Sequence, residues 1–214
     1  CQGEVLSIFL NHITSHGPTT SLHMFGKSLS ENELSLLMLV DFINRFLIQS
    51  KTVFFSNKAF KKLLDFLISM MKNDVFRKLF LDVCAERAID ITLEPGCRSN
   101  GKILSKVAKL FCVLPGGYEL PIRLSHVAGF MLGLGQPAIV PQALELCEKI
   151  GIEKLSHLKQ IIESTFEIEF KKENPSYDVI EQFLRRVPGL IKDKIAALPA
   201  LLDKLVDKYK KSEV

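Results

Sequence analysis

The sequence predicts an all-α fold of about ten helices packed as antiparallel hairpins. Apolar residues recur at intervals of three and four through nearly the whole chain, which is the spacing of helices that bury one face. Glycine and proline interrupt this pattern at short intervals, so the loops are short and successive helices should be neighbours. We therefore expect an irregular, α-solenoid-like array without strands, in which the β-like run at residues 89–93 is the tail of a helix.

The first two helices are predicted from their apolar stripes and their ends. The first begins near Val5 and ends at the His-Gly-Pro run of residues 16–18, and a Ser/Thr-rich loop follows it. Ser30 is placed to cap the second helix, with Glu31 and Glu33 in the first turn, and this helix should continue to about residue 49. It is apolar almost all round, which predicts a central position, packed on more than one side.

Three further helices are predicted in residues 56–113. Ser56 opens the first of them, and Asp74 is predicted to cap the second. Residues 95–101 contain a proline and two glycines and are interpreted as a loop. The third helix should then occupy residues 102–113.

The second half begins with a predicted turn at residues 114–117. Pro121 fits the first turn of the next helix, in which glycines should permit close packing or mark the helix end. These glycines are Gly129, Gly133 and Gly135. Two prolines delimit a connector at residues 137–141.

The remaining helices are defined by their breaks. Residues 142–150 should form a helix that Gly151 ends, and residues 153–170 should form the next. The Asn174-Pro175 pair predicts the start of a helix ending near residue 187, and prolines at 188 and 199 divide the remainder into two short helices.

Residues 142–152 carry one family resemblance. Their sequence, QALELCEKIGI, resembles the second helix and exit turn of a pentatricopeptide or tetratricopeptide unit, with a small residue, an apolar stripe and a closing glycine. More generally, the chain resembles irregular α-helical repeat proteins of the HEAT or TPR kind. That resemblance implies a concave scaffold for another chain and assigns no site residues.

Composition predicts one folded domain over residues 1–214. Apolar residues make up 47% of the chain, and no low-complexity tract or linker divides it. Because the sequence begins with Cys1 and not with Met, we expect a fragment of a larger protein. No stretch approaches the roughly 20 apolar residues of a membrane span. The five cysteines are widely spaced, which predicts buried, reduced thiols and an intracellular location, in cytoplasm or nucleus.

No motif in the sequence predicts catalysis, a cofactor or a metal ion. His12 and His16 are spaced to share a helix face, but a proline follows directly and no neighbouring carboxylate or thiol completes a site. Gly133 and Gly135 lack the preceding strand of a dinucleotide loop. Ser125 and His126 are adjacent, so on a helix they point about 100° apart. We therefore predict that the chain is not an enzyme.

One segment is clearly basic. Residues 51–112 contain twelve Lys or Arg against six Asp or Glu, whereas the whole chain has 28 against 24. If neighbouring helices present these charges together, they form a surface for RNA or DNA phosphates. The candidate contacts are Lys58, Lys61, Lys62, Arg77, Lys78, Lys102, Lys106 and Lys109. The alternative, which we prefer, is that these lysines only solvate the outer faces of helices.

The C-terminal residues predict a different surface. An apolar stripe there either buries itself on the helical stack or docks on a partner. Its residues are Leu198, Leu201, Leu202, Leu205 and Tyr209. From these observations we predict a helical scaffold that binds another protein or peptide in a larger complex. The alternative is an RNA- or DNA-binding helical module that uses the basic segment.

Overall fold

The computed structural model describes residues 33–50, 57–196 and 203. This part of the chain contains eleven α-helices, one 3-10 helix and no strand, so the predicted all-α fold is confirmed. The first helix of the prediction lies outside the described residues.

The helices follow one another with short connections. In chain order they are α1 (Glu33–Ser50), α2 (Asn57–Met70), α3 (Asp74–Val83), α4 (Ala85–Leu93), α5 (Pro95–Arg98), α6 (Gly101–Cys112), α7 (Leu124–Gly133), α8 (Val140–Ile150), the 3-10 helix (Ile152–Leu158), α9 (Lys159–Lys171), α10 (Tyr177–Arg186) and α11 (Pro188–Ala196). Residues 89–93 form the end of α4, as predicted.

The prediction of a loop at residues 95–101 is wrong. Pro95 begins the short helix α5, because proline at a first helical position lacks only an N–H that would have no intrahelical partner. Gly101 is the first residue of α6, and Asn100 caps that helix by accepting a hydrogen bond from the Ile103 N–H at 3.3 Å. The predicted cap of α3 also shifts by one residue: Asn73, and not Asp74, accepts a hydrogen bond from the Phe76 N–H at 2.9 Å.

The helix predicted at residues 153–170 is divided in two. Residues 152–158 form a 3-10 helix, and α9 begins at Lys159. Leu155 and Leu158 are both buried, and their spacing of three matches the period of a 3-10 helix, which places both on one side. Gly151 precedes this segment with a φ of 104° and ends α8, as predicted.

The prolines and glycines around α7 and α8 have local roles. Pro141 is the second residue of α8, where its missing N–H costs no helical hydrogen bond. A turn precedes α7, in which the Leu124 N–H donates to the Pro121 carbonyl at 3.0 Å. Gly133 ends α7, and a Cβ added at Gly129 would lie 3.2 Å from Leu158 Cδ2, so this glycine permits the predicted close packing.

The chain divides into two compact units, Cys1–Val127 and Ala128–Val214, with the boundary inside α7. Each unit has its own core. That residues 1–214 form a single domain remains a prediction. In the first unit, α1 packs on α3 and α4, and α2 packs on α6. The buried rings of Phe76 and Phe80 lie 6.2 Å apart, and those of Phe80 and Phe111 lie 6.3 Å apart.

The described part of the second unit comprises the end of α7, the helices α8 to α11 and the 3-10 helix. Helix α8 packs on α10, and α9 packs on α10, α11 and the 3-10 helix. The buried ring of Phe166 lies 5.6 Å from that of Phe183 and 6.5 Å from that of Phe170. This order of helices is compatible with an irregular helical repeat, which remains a prediction because no repeating unit is shown.

Helix α1 is less enclosed than its composition predicts. Leu36, Leu39, Val40, Ile43 and Leu47 are buried, as expected for contact with α3 and α4. The opposite side carries three exposed apolar side chains, of which Met38 is 68% exposed; the others are Leu37 and Ile48. Within the described residues, α3 and α4 pack on one side of α1 and leave these side chains exposed.

Candidate interaction surfaces

Two lysine-bearing helices of the predicted basic segment pack against each other. Lys102, Lys106 and Lys109 are spaced at i, i+4 and i+7, so they share the outer face of α6, opposite its buried residues. Lys106 Nζ donates to the carboxylate of Asp65 on α2. Lys61 and Lys62 precede Asp65 by four and three residues, so they lie one turn away on the same side of α2. The structure therefore brings both lysine groups together around one ion pair.

The other candidate basic residues are placed differently. Arg77 on α3 has a guanidinium that donates to the Met71 carbonyl at 2.9 Å, pairs with Asp74 and lies 5.9 Å from the centre of the Tyr118 ring. This side chain is thus occupied within the protein. Lys78, the next residue, is exposed on α3. Lys58 belongs to α2, but its side chain is not among those that the structure describes.

An exposed apolar surface is present on α9. Ile161 and Ile168 are 38% and 63% exposed, and their separation of seven residues places them on one face of the helix, with Ser164 between them. The opposite face is core, because Ile162, Phe166 and Phe170 are buried.

Helix α7 adjoins this face in the second unit. A Cβ added at Gly129 would lie 3.8 Å from Ile161 Cδ1, and Phe130, the next residue, is exposed. We refer to Ile161 and Ile168, with Phe130 on the neighbouring α7, as the α9 strip.

Ion pairs join α9 to α11. Lys159 lies 3.4 Å from Asp193 and 3.5 Å from Glu163, and these carboxylates raise the pKa of the lysine. Glu167 contacts Lys171 at 2.5 Å and Lys194 at 3.2 Å, and these ammonium groups lower the pKa of its carboxyl.

The thiols are buried, as predicted, in three of the four positions that the structure describes. Cys84, Cys97 and Cys147 are buried, whereas Cys112 is partly exposed. Burial, with a smaller effect of Asp41, raises the pKa of Cys84 to about 12, and its Sγ donates to the Val40 carbonyl at 3.4 Å. Burial and Glu94 raise the pKa of Cys97. Such thiols are poor nucleophiles, since the thiolate is the reactive form.

Several sequence candidates lie beyond the described residues. The predicted C-terminal docking residues, Leu198, Leu201, Leu202, Leu205 and Tyr209, belong to this group, as do His12, His16 and Cys1. Within the described ranges, no three His, Cys, Asp or Glu side chains gather in a way that could hold a metal ion. No helix in the same ranges is long and apolar enough to cross a membrane.

Neither the α9 strip nor the ion pair of Asp65 with Lys106 follows from a local sequence pattern. Ile161 and Ile162 are adjacent and chemically identical, and only the packing of α9 decides that the second is buried. Asp65 and Lys106 are 41 residues apart, so no local pattern links them. A comparison with known proteins found no matching family, no matching curated protein and no matching solved structure.

Proposed function

We propose that this chain is a non-catalytic helical scaffold that binds another protein through the α9 strip. The observation that supports this proposal is the exposure of Ile161 and Ile168 on one face of a helix whose other face is core. A water-exposed apolar surface gains free energy when a partner covers it. The scaffold role predicted from the sequence is thereby assigned to a specific surface.

The partner that best fits the strip is an amphipathic helix of another protein. Ile161 and Ile168 are about 10 Å apart along the axis of α9, at 1.5 Å per residue. A helix laid along α9 can place apolar side chains at the same interval, two turns apart, on both isoleucines. Lys171 follows Ile168 by three residues, so its ion pair with Glu167 borders the contact at that end.

We also propose an intracellular location for this complex. Cys84 is buried as a free thiol whose Sγ donates to the Val40 carbonyl. Persistent free thiols are typical of reducing compartments.

The test is a pull-down with the tagged chain from the cells in which it occurs. A double variant, Ile161→Asp with Ile168→Asp, places two charges in the strip, and we expect at least about a tenfold loss of the partner. Ile122→Asp is the matched control, because Ile122 is 50% exposed in the first unit and should leave recovery unchanged. Equal recovery with the double variant and the wild type would contradict the proposal.

A photocrosslinking residue at position 164 distinguishes direct contact from indirect loss. Ser164 is exposed between the two isoleucines, so a crosslinker there should capture the partner protein, whereas one at position 122 should not. Light scattering of the purified chain completes the test. A dimer that Ile168→Asp dissociates would show that a second copy covers the strip, and would overturn the assignment to a different protein.

A further inference from the structure

We infer that the paired helices α2 and α6 form a binding surface for the phosphate backbone of duplex nucleic acid, with Asp65 as its internal competitor. This surface lies in the first unit and is independent of the α9 strip. It comprises Lys61, Lys62, Lys102, Lys106 and Lys109, arranged around Asp65. We call it the α2–α6 basic surface.

The Asp65–Lys106 ion pair fixes the relative positions of the lysines. Lys61 precedes Asp65 by one turn, or about 6 Å along α2. Lys102 and Lys109 lie about 6 Å and about 4.5 Å from Lys106 along α6. Because the ion pair holds Asp65 beside Lys106, all four flanking lysines lie within about one helical turn of it, whichever way the two helices run.

The charge balance of the surface is strongly positive. Lys102 and Lys109 are exposed, and neither forms an ion pair with any residue that the structure describes. Lys106 remains 30% exposed in its side chain although it contacts Asp65. Asp65 is the only acidic residue in either helix, since Asn57–Met70 and Gly101–Cys112 contain no other Asp or Glu.

Four other acids of the first unit are paired elsewhere. Asp41 contacts Arg45 at 2.8 Å, and Asp74 contacts Arg77. Asp90 contacts Arg123, whose guanidinium is also 3.9 Å from Glu86. These pairs reduce the negative potential that would otherwise oppose the lysines.

The density of charge favours a duplex as the occupant. Lysines 102, 106 and 109 extend over about 10 Å of α6, and duplex DNA carries a negative charge for about every 1.7 Å of its axis. A duplex therefore presents several phosphates along this length, and binding by lysine ammonium groups would release counterions.

The aromatic residues of the two helices argue against a single strand. Phe60, Phe66 and Phe111 are all buried, so no aromatic side chain of α2 or α6 is placed to stack on an unpaired base. Lysine ammonium groups that contact phosphates do not read base edges. Binding should therefore depend little on sequence and should favour duplex over single strand.

Asp65 limits this affinity because its carboxylate competes with phosphate for Lys106. Removing the charge while keeping the side-chain shape, by Asp65→Asn, releases Lys106 and eliminates the negative charge of the surface. We expect several-fold tighter binding to a duplex at low salt. An ion pair that only positions Lys106 would instead give weaker binding when it is broken.

The experiment measures fluorescence anisotropy of a labelled mixed-sequence DNA duplex, titrated with the full chain over a range of salt. Lys102→Glu with Lys109→Glu should weaken binding at least about tenfold and reduce the slope of log K against log salt by about 2. Lys154→Glu with Lys192→Glu is the matched control, since both lysines are exposed in the second unit. It should behave like the wild type, and circular dichroism checks that all variants fold.

Several outcomes would overturn the inference. Equal affinity of the Lys102/Lys109 variant and the wild type would exclude the surface, and equal loss in the control would show only a general charge effect. Tighter binding to the single strand, or to polyglutamate, would exclude a duplex as the occupant. Weakened or unchanged binding by Asp65→Asn would exclude the competitor role. Ile168→Asp should leave duplex affinity unchanged. The duplex-binding inference and the scaffold proposal can therefore fail independently of each other.

Discussion

The carboxylate of Glu169 accepts a hydrogen bond from the backbone N–H of Ser176 at 3.0 Å. Glu169 is in the last turn of α9 and only 3% exposed, and Ser176 is the residue that precedes α10. The other carboxylate oxygen accepts a hydrogen bond from Lys172. One buried side chain thus fixes the connection between α9 and α10, and it satisfies a backbone donor at the start of α10.

Glu169→Ala should destabilise the protein by about 1–3 kcal/mol, because it removes the acceptor of the Ser176 N–H and the partner of Lys172. Urea unfolding followed by circular dichroism measures this loss. Glu173→Ala is the control: it removes the same charge from an exposed position four residues later and should change stability by less than about 0.5 kcal/mol. Equal losses in the two variants would show that the buried hydrogen bonds contribute nothing.

Gly151→Ala should also be destabilising, by about 1–3 kcal/mol. Gly151 has φ 104° and ψ 126°, a conformation that side chains disfavour, and an added Cβ would meet the flexible carboxylate of Glu153. Thermal unfolding measures the effect. Gly96→Ala is the opposite case, because a Cβ there meets no atom within 4 Å and the residue lies in helix α5. It should be neutral or stabilising by about 0.4–1 kcal/mol, and a loss at Gly96 as large as that at Gly151 would contradict the backbone argument.

The sequence predicted elements whose signals are local. Helix α8 and its end at Gly151 follow from an apolar stripe and one glycine, which determine backbone conformation within a few residues. The prediction failed at residues 95–101 because proline and glycine occur both in loops and in the first turn of helices. Pro95 suits a helix start as well as a loop, and the side chain of Asn100 stabilises a helix that begins at Gly101.

The candidate surfaces depend on contacts between distant residues. The lysines of α2 and α6 were identifiable from their spacing, but their proximity follows from the packing of two helices on each other. Arg77 and Lys78 are adjacent basic residues, and the sequence does not distinguish them. In the structure the Arg77 guanidinium donates to the Met71 carbonyl and pairs with Asp74. The α9 strip was not predictable, because an apolar stripe indicates a helix and does not say which of its isoleucines is covered.

Glu167 should make stability depend on pH below its ordinary pKa of 4.5. Lys171 and Lys194 lower the pKa of this carboxyl in the folded protein, so the stabilisation is present above 4.5 and is lost as the pH falls through the lower, folded value. We therefore expect Glu167→Gln to be less stable than the wild type at pH 6, with the difference shrinking towards pH 3 and in high salt.

Urea unfolding of both proteins across this pH range measures the difference. Glu173→Gln is the control, because it removes an exposed carboxylate that has no ion pair within the described residues. Its stability should follow that of the wild type at each pH. A difference between Glu167→Gln and the wild type that stays constant from pH 6 to pH 3 would show that the ion pairs with Lys171 and Lys194 are not its source.

Cys84 should resist alkylation in the folded protein. Burial raises its pKa to about 12, so almost no thiolate exists at neutral pH, and the buried sulfur is inaccessible to reagent. Iodoacetamide labelling followed by peptide mass spectrometry should show Cys112, which is partly exposed, reacting first, and Cys84 reacting only after denaturation. Because Cys112 belongs to the same unit, its labelling shows how fast iodoacetamide reacts with a partly exposed thiol while the core remains folded. Labelling of Cys84 at the rate of Cys112 in the native protein would mean that α1 and α4 separate readily, and would contradict the packing around the Cys84–Val40 hydrogen bond.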